Sequence, residues 1–255
     1  MIYVRRRILQ TKEDGSVVEL TEADFAGIPG PRILLGEPGA GKSDTATEIQ
    51  RLAAGYPIHA ELLASNAPIE ELSGKTAIID GVDEVLANGV VDPISAILNR
   101  LVQDKVQSFV LTCRAMDWQH ASSEGKITRR FTTKPVVGQL QPLNDEEMAS
   151  MVEVFSSGNE NGAKFVEQAD THGATELTRN PQSLRLLLGA IAERGWPKSR
   201  LELYESACLR LTREVNLAHQ SLRPNRPAGE RIMQAAGFVF AQQLLAGKRG
   251  VATDG

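Results

Sequence analysis

The stretch Ile33-Leu34-Leu35-Gly36-Glu37-Pro38-Gly39-Ala40-Gly41-Lys42-Ser43 constrains this chain more than any other. An apolar run of strand length meets a glycine-rich segment, and an amphipathic helical pattern follows it. The spacing G-x-x-x-x-G-K-S is a complete phosphate-binding pattern in its required setting. Gly36, Gly39 and Gly41 let the backbone turn tightly and bring its N–H groups close to an anion. The helix that follows aims its positive end at the same place. Lys42 offers a mobile cation to outer phosphates, and Ser43 offers a hydroxyl to Mg²⁺. The candidate cradle is therefore Gly36, Glu37, Pro38, Gly39, Ala40, Gly41, Lys42, Ser43 and Asp44.

A second stretch, Thr76-Ala77-Ile78-Ile79-Asp80-Gly81-Val82-Asp83-Glu84, completes the chemistry. Its unbroken apolar run fits a strand buried on both faces of a parallel sheet. The run ends on a carboxylate at the strand's C-terminal edge, where open α/β sheets bind ligands. Asp80 is placed to hold Mg²⁺, and Asp83 or Glu84 to orient or deprotonate an attacking water, Glu84 being slightly favoured.

Further strands are expected at 56–60, 107–112 and 135–140. A helix should open at Asp92-Pro93, with Asp as N-cap and Pro in the first turn. Five apolar strands alternating with helices imply a five-stranded parallel sheet covered on both sides. A strand-like run also occupies residues 2–9, ahead of a polar turn at Asp14-Gly15. A second apolar stretch ends at Ile28-Pro29-Gly30-Pro31, where Phe25 or Ile28 is placed either in the core or near a nucleotide base. After Leu140 the pattern is all helical. Asn144 and Glu147 are spaced as a capping box, and Asn180-Pro181 opens a helix reaching Gly195.

Composition bounds the rest. The 255 residues suffice for one large or two modest domains, with 42% hydrophobic and 24% charged content. The net charge of −4 gives no basic field to recruit nucleic acid. No apolar run approaches the roughly 18 residues that span a bilayer. Cys113 and Cys208 fit no metal or redox spacing, and His59, His120, His172 and His219 are scattered. A reduced, cytoplasmic protein is the expectation. The end of the chain, after a strong helix, reads as cut from something longer.

The form Asp80-Gly81-Val82-Asp83-Glu84 resembles the D-G-x-D-E motif of NACHT ATPases, within the STAND class of P-loop NTPases related to AAA+. The segment Thr112-Cys113-Arg114 is similar to the T-x-R of that class, and Asp117-Trp118 to what bacterial members carry next. The resemblance implies that Arg114 senses a γ-phosphate and that Pro181 touches adenine. Gln182 and Ser183 here separate that proline from the usual leucine. Leu203-Tyr204-Glu205 and the helix from Gly229 to Leu245 look like the family's helical region and the start of its winged-helix domain. Arg129 or Arg130 lies near where relatives place an arginine finger. The implied layout is a nucleotide-binding part over 1–140, a helical domain over 141–222, and a truncated winged-helix start over 223–255. The implied ligands are ATP or ADP with Mg²⁺, and the implied action is slow hydrolysis gating homo-oligomerisation on an unnamed trigger ligand, as in bacterial defence. A turnover ATPase working on nucleic acid or protein, and a non-hydrolysing scaffold, stay open as alternatives. No N-K-x-D guanine motif is present.

Overall fold

The computed structural model describes residues 3–65, 72, 74–87, 92–118, 120–199 and 228–246, with 201, 202, 205, 208 and 209. The strand before the phosphate loop, β3 (Pro31–Leu35), lies inside a sheet and is buried at every position. Around it run β1 (Ile8–Thr11), β2 (Val17–Leu20), β4 (Tyr56–His59), β5 (Thr76–Asp80), β6 (Ser108–Cys113) and β7 (Val136–Leu140). The order across the seven-stranded sheet is β2-β1-β7-β3-β6-β5-β4. The five strands β7, β3, β6, β5 and β4 are mutually parallel, as the alternating pattern predicts. The sheet is wider than expected, because β1 and β2 form a hairpin added antiparallel to β7.

The helices among the described residues are α1 (Glu22–Gly27), α2 (Lys42–Ala53), α3 (Ala60–Ala64), α4 (Val82–Ala87), α5 (Pro93–Gln103) and α6 (His120–Phe131). Beyond the sheet come α7 (Asp145–Phe155), α8 (Gly162–Thr171), α9 (Thr175–Thr178), α10 (Pro181–Arg194) and α11 (Gly229–Ala246). The second apolar stretch of the N-terminal region thus divides into β2 and α1. Thr21 and Asp24 cap each other's backbone N–H groups at that point and start the helix.

The period of two along each strand sorts side chains between two cores. Ile33, Leu35, Ala77, Ile79, Phe109, Leu111 and Cys113 face one layer, packed with α5 residues Ile94, Ile97, Leu98 and Leu101. Leu34, Ile78 and Val110 face the other, with Ile8, Phe25, Ala46 and Ile49. Phe25 is fully buried there, so it packs the core and presents nothing to a nucleotide base. Trp118 is likewise a core residue. A third core belongs to the helices after the sheet: Met148, Met151, Val152, Phe165, Leu184 and Leu187 close a helical subdomain. α11 keeps Phe238, Phe240 and Leu245 exposed. Leu203 and Tyr204, part of the segment that resembles the family's helical region, lie outside the described residues.

The helix α2 ends at Ala54, which takes the left-handed conformation with φ 47° although glycine follows it. Gly55 is needed for space, since a Cβ there would lie 2.7 Å from Ile78 Cγ1. The acidic segment after β5 forms the first turn of α4.

Gly138 in β7 is the tightest point of the hairpin junction. An added Cβ would sit 2.5 Å from Ile8 Cγ2 and 2.8 Å from Phe25 Cε2. Gly138→Ala should therefore destabilise the protein by about 1–3 kcal/mol through overpacking. Chemical denaturation reads this directly, and an unchanged midpoint would mean that the hairpin is not packed on β7 as described.

Candidate functional site

The phosphate loop leaves β3 at Gly36 and enters α2 at Lys42. Gly39 and Gly41 both have positive φ, 74° and 88°, so this path depends on glycine. Gly41 is the N-cap of α2 and brings no side-chain cap. The loop's own closure is a turn from Ala40 N–H to Glu37 O at 3.1 Å. Lys42 folds back over it, with Nζ donating to Gly36 O at 3.1 Å and Glu37 O at 3.3 Å.

Facing the loop are the C-terminal ends of β5 and β6, hydrogen-bonded as neighbours in the sheet. Asp80 ends β5 and accepts a hydrogen bond from the Thr112 hydroxyl on β6. Asp83, in the first turn of α4, is the hub. Its Oδ1 accepts from the Arg114 backbone N–H at 2.9 Å, and its Oδ2 accepts from Arg114 Nε at 3.0 Å. The same Oδ2 lies 3.5 Å from Lys42 Nζ. One carboxylate thus ties the loop lysine to the strand-end arginine. Two cations at one small anion is the arrangement that a phosphate oxygen also makes.

These groups line a single cleft of about 510 Å³, with Pro38, Gly39, Gly41, Ser43, Asp44, Asp80 and Gly81 on the sheet side. Phe155, Pro181, Gln182 and Arg185 close it from the helical subdomain. Every described member of the sequence-predicted set except Gly36, Glu37 and Ala40 lines it; those three form the backbone around Lys42. Glu84 lies in α4, and its side chain is outside the described residues. Pro181 is buried and packs on the loop, 3.9 Å from the position a Gly41 Cβ would take. Arg129 and Arg130 sit on the last turn of α6, where Arg130 Nε donates to Asn99 Oδ1 at 2.9 Å. Neither lines the cleft.

The donor set suits Mg²⁺. Ser43 and Asp80 bring hard oxygen ligands to one cleft, with Asp80 Oδ1 accepting from the Thr112 hydroxyl. Among the described residues no group of three His, Cys, Asp or Glu side chains could hold a metal ion by themselves. No described helix is long and apolar enough to cross a membrane.

The pattern of residues did not reveal what stands behind the loop. Arg6 is 3% exposed. Its Nη1 donates to Ala40 O at 2.6 Å and its Nη2 to Gln141 O at 2.6 Å. Its backbone N–H donates to the buried Glu22 carboxylate, which also accepts from the Tyr3 hydroxyl at 2.8 Å. The Tyr3 oxygen also lies 3.2 Å from Thr45 Oγ1 on α2, where the Thr45 hydroxyl is the donor. Burial pushes the Tyr3 phenol up and the Arg6 guanidinium down from their ordinary values. Within the Arg5-Arg6-Arg7 run, only tertiary contact distinguishes the middle residue.

Arg6→Met should cost about 2–4 kcal/mol of stability, because the buried Ala40 carbonyl and the half-buried Gln141 carbonyl lose a charged donor. Urea unfolding tests this, and a cost below half a kcal/mol would remove Arg6 from the loop's support. Burial, with Asp83 and Asp117 nearby, pushes the Cys113 thiol up to about 12. At pH 8 it is therefore protonated, and a disulfide reagent should titrate exposed Cys208 rapidly and Cys113 only after unfolding. Two fast thiols in the native protein would contradict this placement.

No protein-family model matches the chain, and no curated protein matches it. Solved structures do. One, from "Structural Basis for Katanin Self-Assembly", is 13% identical, with 70% of this chain and 71% of that chain covered and a TM-score of 0.38. Another, the Orc1 protein of Aeropyrum pernix in complex with DNA, is 15% identical, also at a TM-score of 0.38. That match covers 74% of this chain and 64% of the Orc1 chain, so this chain spans slightly less than two thirds of it. The P-loop NTPase fold itself rests on the strand order and on the loop between β3 and α2.

Proposed function

We propose that this chain is the nucleotide-binding and helical part of a NACHT-like STAND ATPase, divided near residue 140, in which ATP or ADP with Mg²⁺ sets the position of the helical subdomain. One observation carries the reading. Lys42, Asp83 and Arg114 converge in a cleft that also holds Ser43, Asp80 and Pro181, one group for each part of a bound nucleotide.

The loop amides and Lys42 hold the phosphates. Ser43 and Asp80 hold Mg²⁺, which supplies charge neutralisation at the outer phosphates. Arg114 sits at the end of β6, where a guanidinium distinguishes a terminal phosphate from its absence. Both oxygens of Asp83 are engaged by Arg114. That commitment favours Glu84 as the group that orients the attacking water, with Asp83 holding the arginine in place. A terminal phosphate would compete with Asp83 for Lys42, so its arrival has a defined electrostatic consequence.

The switch, oligomerisation and defence roles rest on the resemblance of Asp80-Gly81-Val82-Asp83-Glu84, Thr112-Cys113-Arg114 and Asn180-Pro181 to the STAND class. A switch of this kind requires each nucleotide to bind the two subdomain positions with different affinity.

The direct test is to denature the purified protein without added nucleotide and identify what it releases. Near-stoichiometric ADP is the expected result, and guanine nucleotide would overturn the base assignment. Lys42→Ala should lose at least tenfold in ADP affinity. Glu84→Gln should keep affinity and lose about a hundredfold or more in hydrolysis. Full hydrolysis by Glu84→Gln would return the water-orienting role to Asp83.

A further inference from the structure

Three successive carbonyls of the phosphate loop accept hydrogen bonds from outside the loop. Ala40 O is held by Arg6 Nη1 at 2.6 Å. Pro38 O is held by Asn180 Nδ2 at 2.9 Å. Gly39 O is held by the Gln182 backbone N–H at 3.2 Å, a donor shared with Asn180 Oδ1 at 3.0 Å. The first holder belongs to the N-terminal segment, and the other two to the first turn of α10 in the helical subdomain.

Peptide planarity turns this into a positional argument. A carbonyl and the N–H of the next residue share one rigid plane and point in opposite directions. Holding the carbonyls of Pro38, Gly39 and Ala40 fixes the planes that carry the N–H groups of Gly39, Ala40 and Gly41. The fit is close. A Cβ on Gly39 would lie 2.4 Å from Gln182 Oε1 and 2.9 Å from Asn180 Oδ1. Asn180 does two jobs with one amide. Its Oδ1 caps α10 through the N–H groups of Gln182 and Ser183, and its Nδ2 is left to reach the loop.

We infer that Asn180 and the first turn of α10 are positioning groups for the phosphate loop, so that docking of the helical subdomain sets the loop's affinity for any polyphosphate, whatever its base. This rests on the reading that the loop binds nucleotide, and it differs from a proline contact to adenine. A base contact favours adenine nucleotides only; a clamp on the loop's carbonyl edge acts equally on ADP, GDP and a phosphate chain with no base.

Asn180→Ser separates the clamp from the cap. Serine caps a helix about as well as asparagine, but its hydroxyl is too short to bridge to Pro38 O. Asn180→Asp is the second variant; it also keeps the cap and removes the donor, and is compared at raised salt to screen its charge. Titration calorimetry with Mg²⁺-ADP, Mg²⁺-GDP and Mg²⁺-tripolyphosphate reads all three ligands. Both variants should lose about three- to tenfold in affinity, the worth of one net hydrogen bond, by the same factor for ADP and for tripolyphosphate, with little change in melting temperature. Loss confined to ADP would overturn the clamp in favour of a base contact. Unchanged affinity for both ligands in a folded variant would reduce Asn180 to a helix cap. A wild-type protein that binds neither ADP nor tripolyphosphate would fail earlier, overturning the nucleotide-binding reading itself.

Discussion

A backbone can present its N–H groups to an anion only if its carbonyl groups are satisfied on the other side. Buried or crowded carbonyls left without donors cost about as much as the bonds they would make. The phosphate loop of this chain meets that constraint with donors drawn from three places: Lys42 within the motif, Arg6 from the N-terminal segment, and the start of α10. The rest of the structure arranges those donors. The β1–β2 hairpin pairs with β7 and carries the N-terminal segment across the back of the loop. The chain leaving β7 then comes under Arg6 and Arg7 at once, with Gln141 N–H donating to Arg7 O and Arg6 Nη2 donating to Gln141 O. The root of the helical subdomain and the back of the loop therefore share one buried guanidinium.

The front of the loop is organised by charge. Lys42 and Arg114 would repel each other across the cleft, and Asp83 lies between them. The ion pair with Lys42 is about 86–89% shielded from solvent at its side chains, so its Coulomb energy is not lost to water as a surface pair's would be. Asp80 is held apart from this triad by Thr112. Asp80 at the end of β5 and Asp83 in α4, which line one cleft, thus have different partners. That separation suits one of them to a metal and the other to a guanidinium.

Much of this was legible because the pattern is local. The run of apolar residues in β3 and β5 marks strands buried on both faces, and the glycines at 36, 39 and 41 mark a loop whose positive φ values at 39 and 41 the structure contains. Asp92-Pro93 and Asn180-Pro181 mark helix starts for reasons contained in the first turn itself. What was not legible is long-range. Nothing within Arg5-Arg6-Arg7 says that the middle arginine reaches Ala40 and Gln141. Nothing around Asn180 says that its free amide hydrogen meets Pro38, 142 residues earlier. The hairpin was half visible: the run before Asp14 read as a strand, but pairing to β7 is a matter of register across the whole sheet. Gly55 and Gly138 are points of close approach, which only the packing of Ile78, Ile8 and Phe25 against them reveals.

Magnitudes decide how far the helical subdomain's grip on the loop can act alone. Its tip is fastened by two hydrogen bonds, Asn180 to Pro38 and Gln182 to Gly39, worth about 2 kcal/mol together. Its root is fastened by Arg6 to Gln141, Arg7 to Pro142 at 2.7 Å and Arg7 to Glu147 at 3.3 Å. Moving a two-state equilibrium from one extreme to the other needs about 5.5 kcal/mol of differential binding. Releasing the tip alone falls short of that. On the proposed reading, a nucleotide that shifts the subdomain must add the difference through contacts that differ between its two forms, and the Lys42–Asp83–Arg114 triad is where a terminal phosphate would make such contacts. The root bonds run from Arg6 and Arg7 to Gln141, Pro142 and Glu147 and do not involve the first turn of α10, so on that reading they can persist while the tip lifts. On that reading the subdomain is a lever pinned near Arg6 and Arg7, with its free end resting on the loop's carbonyl edge.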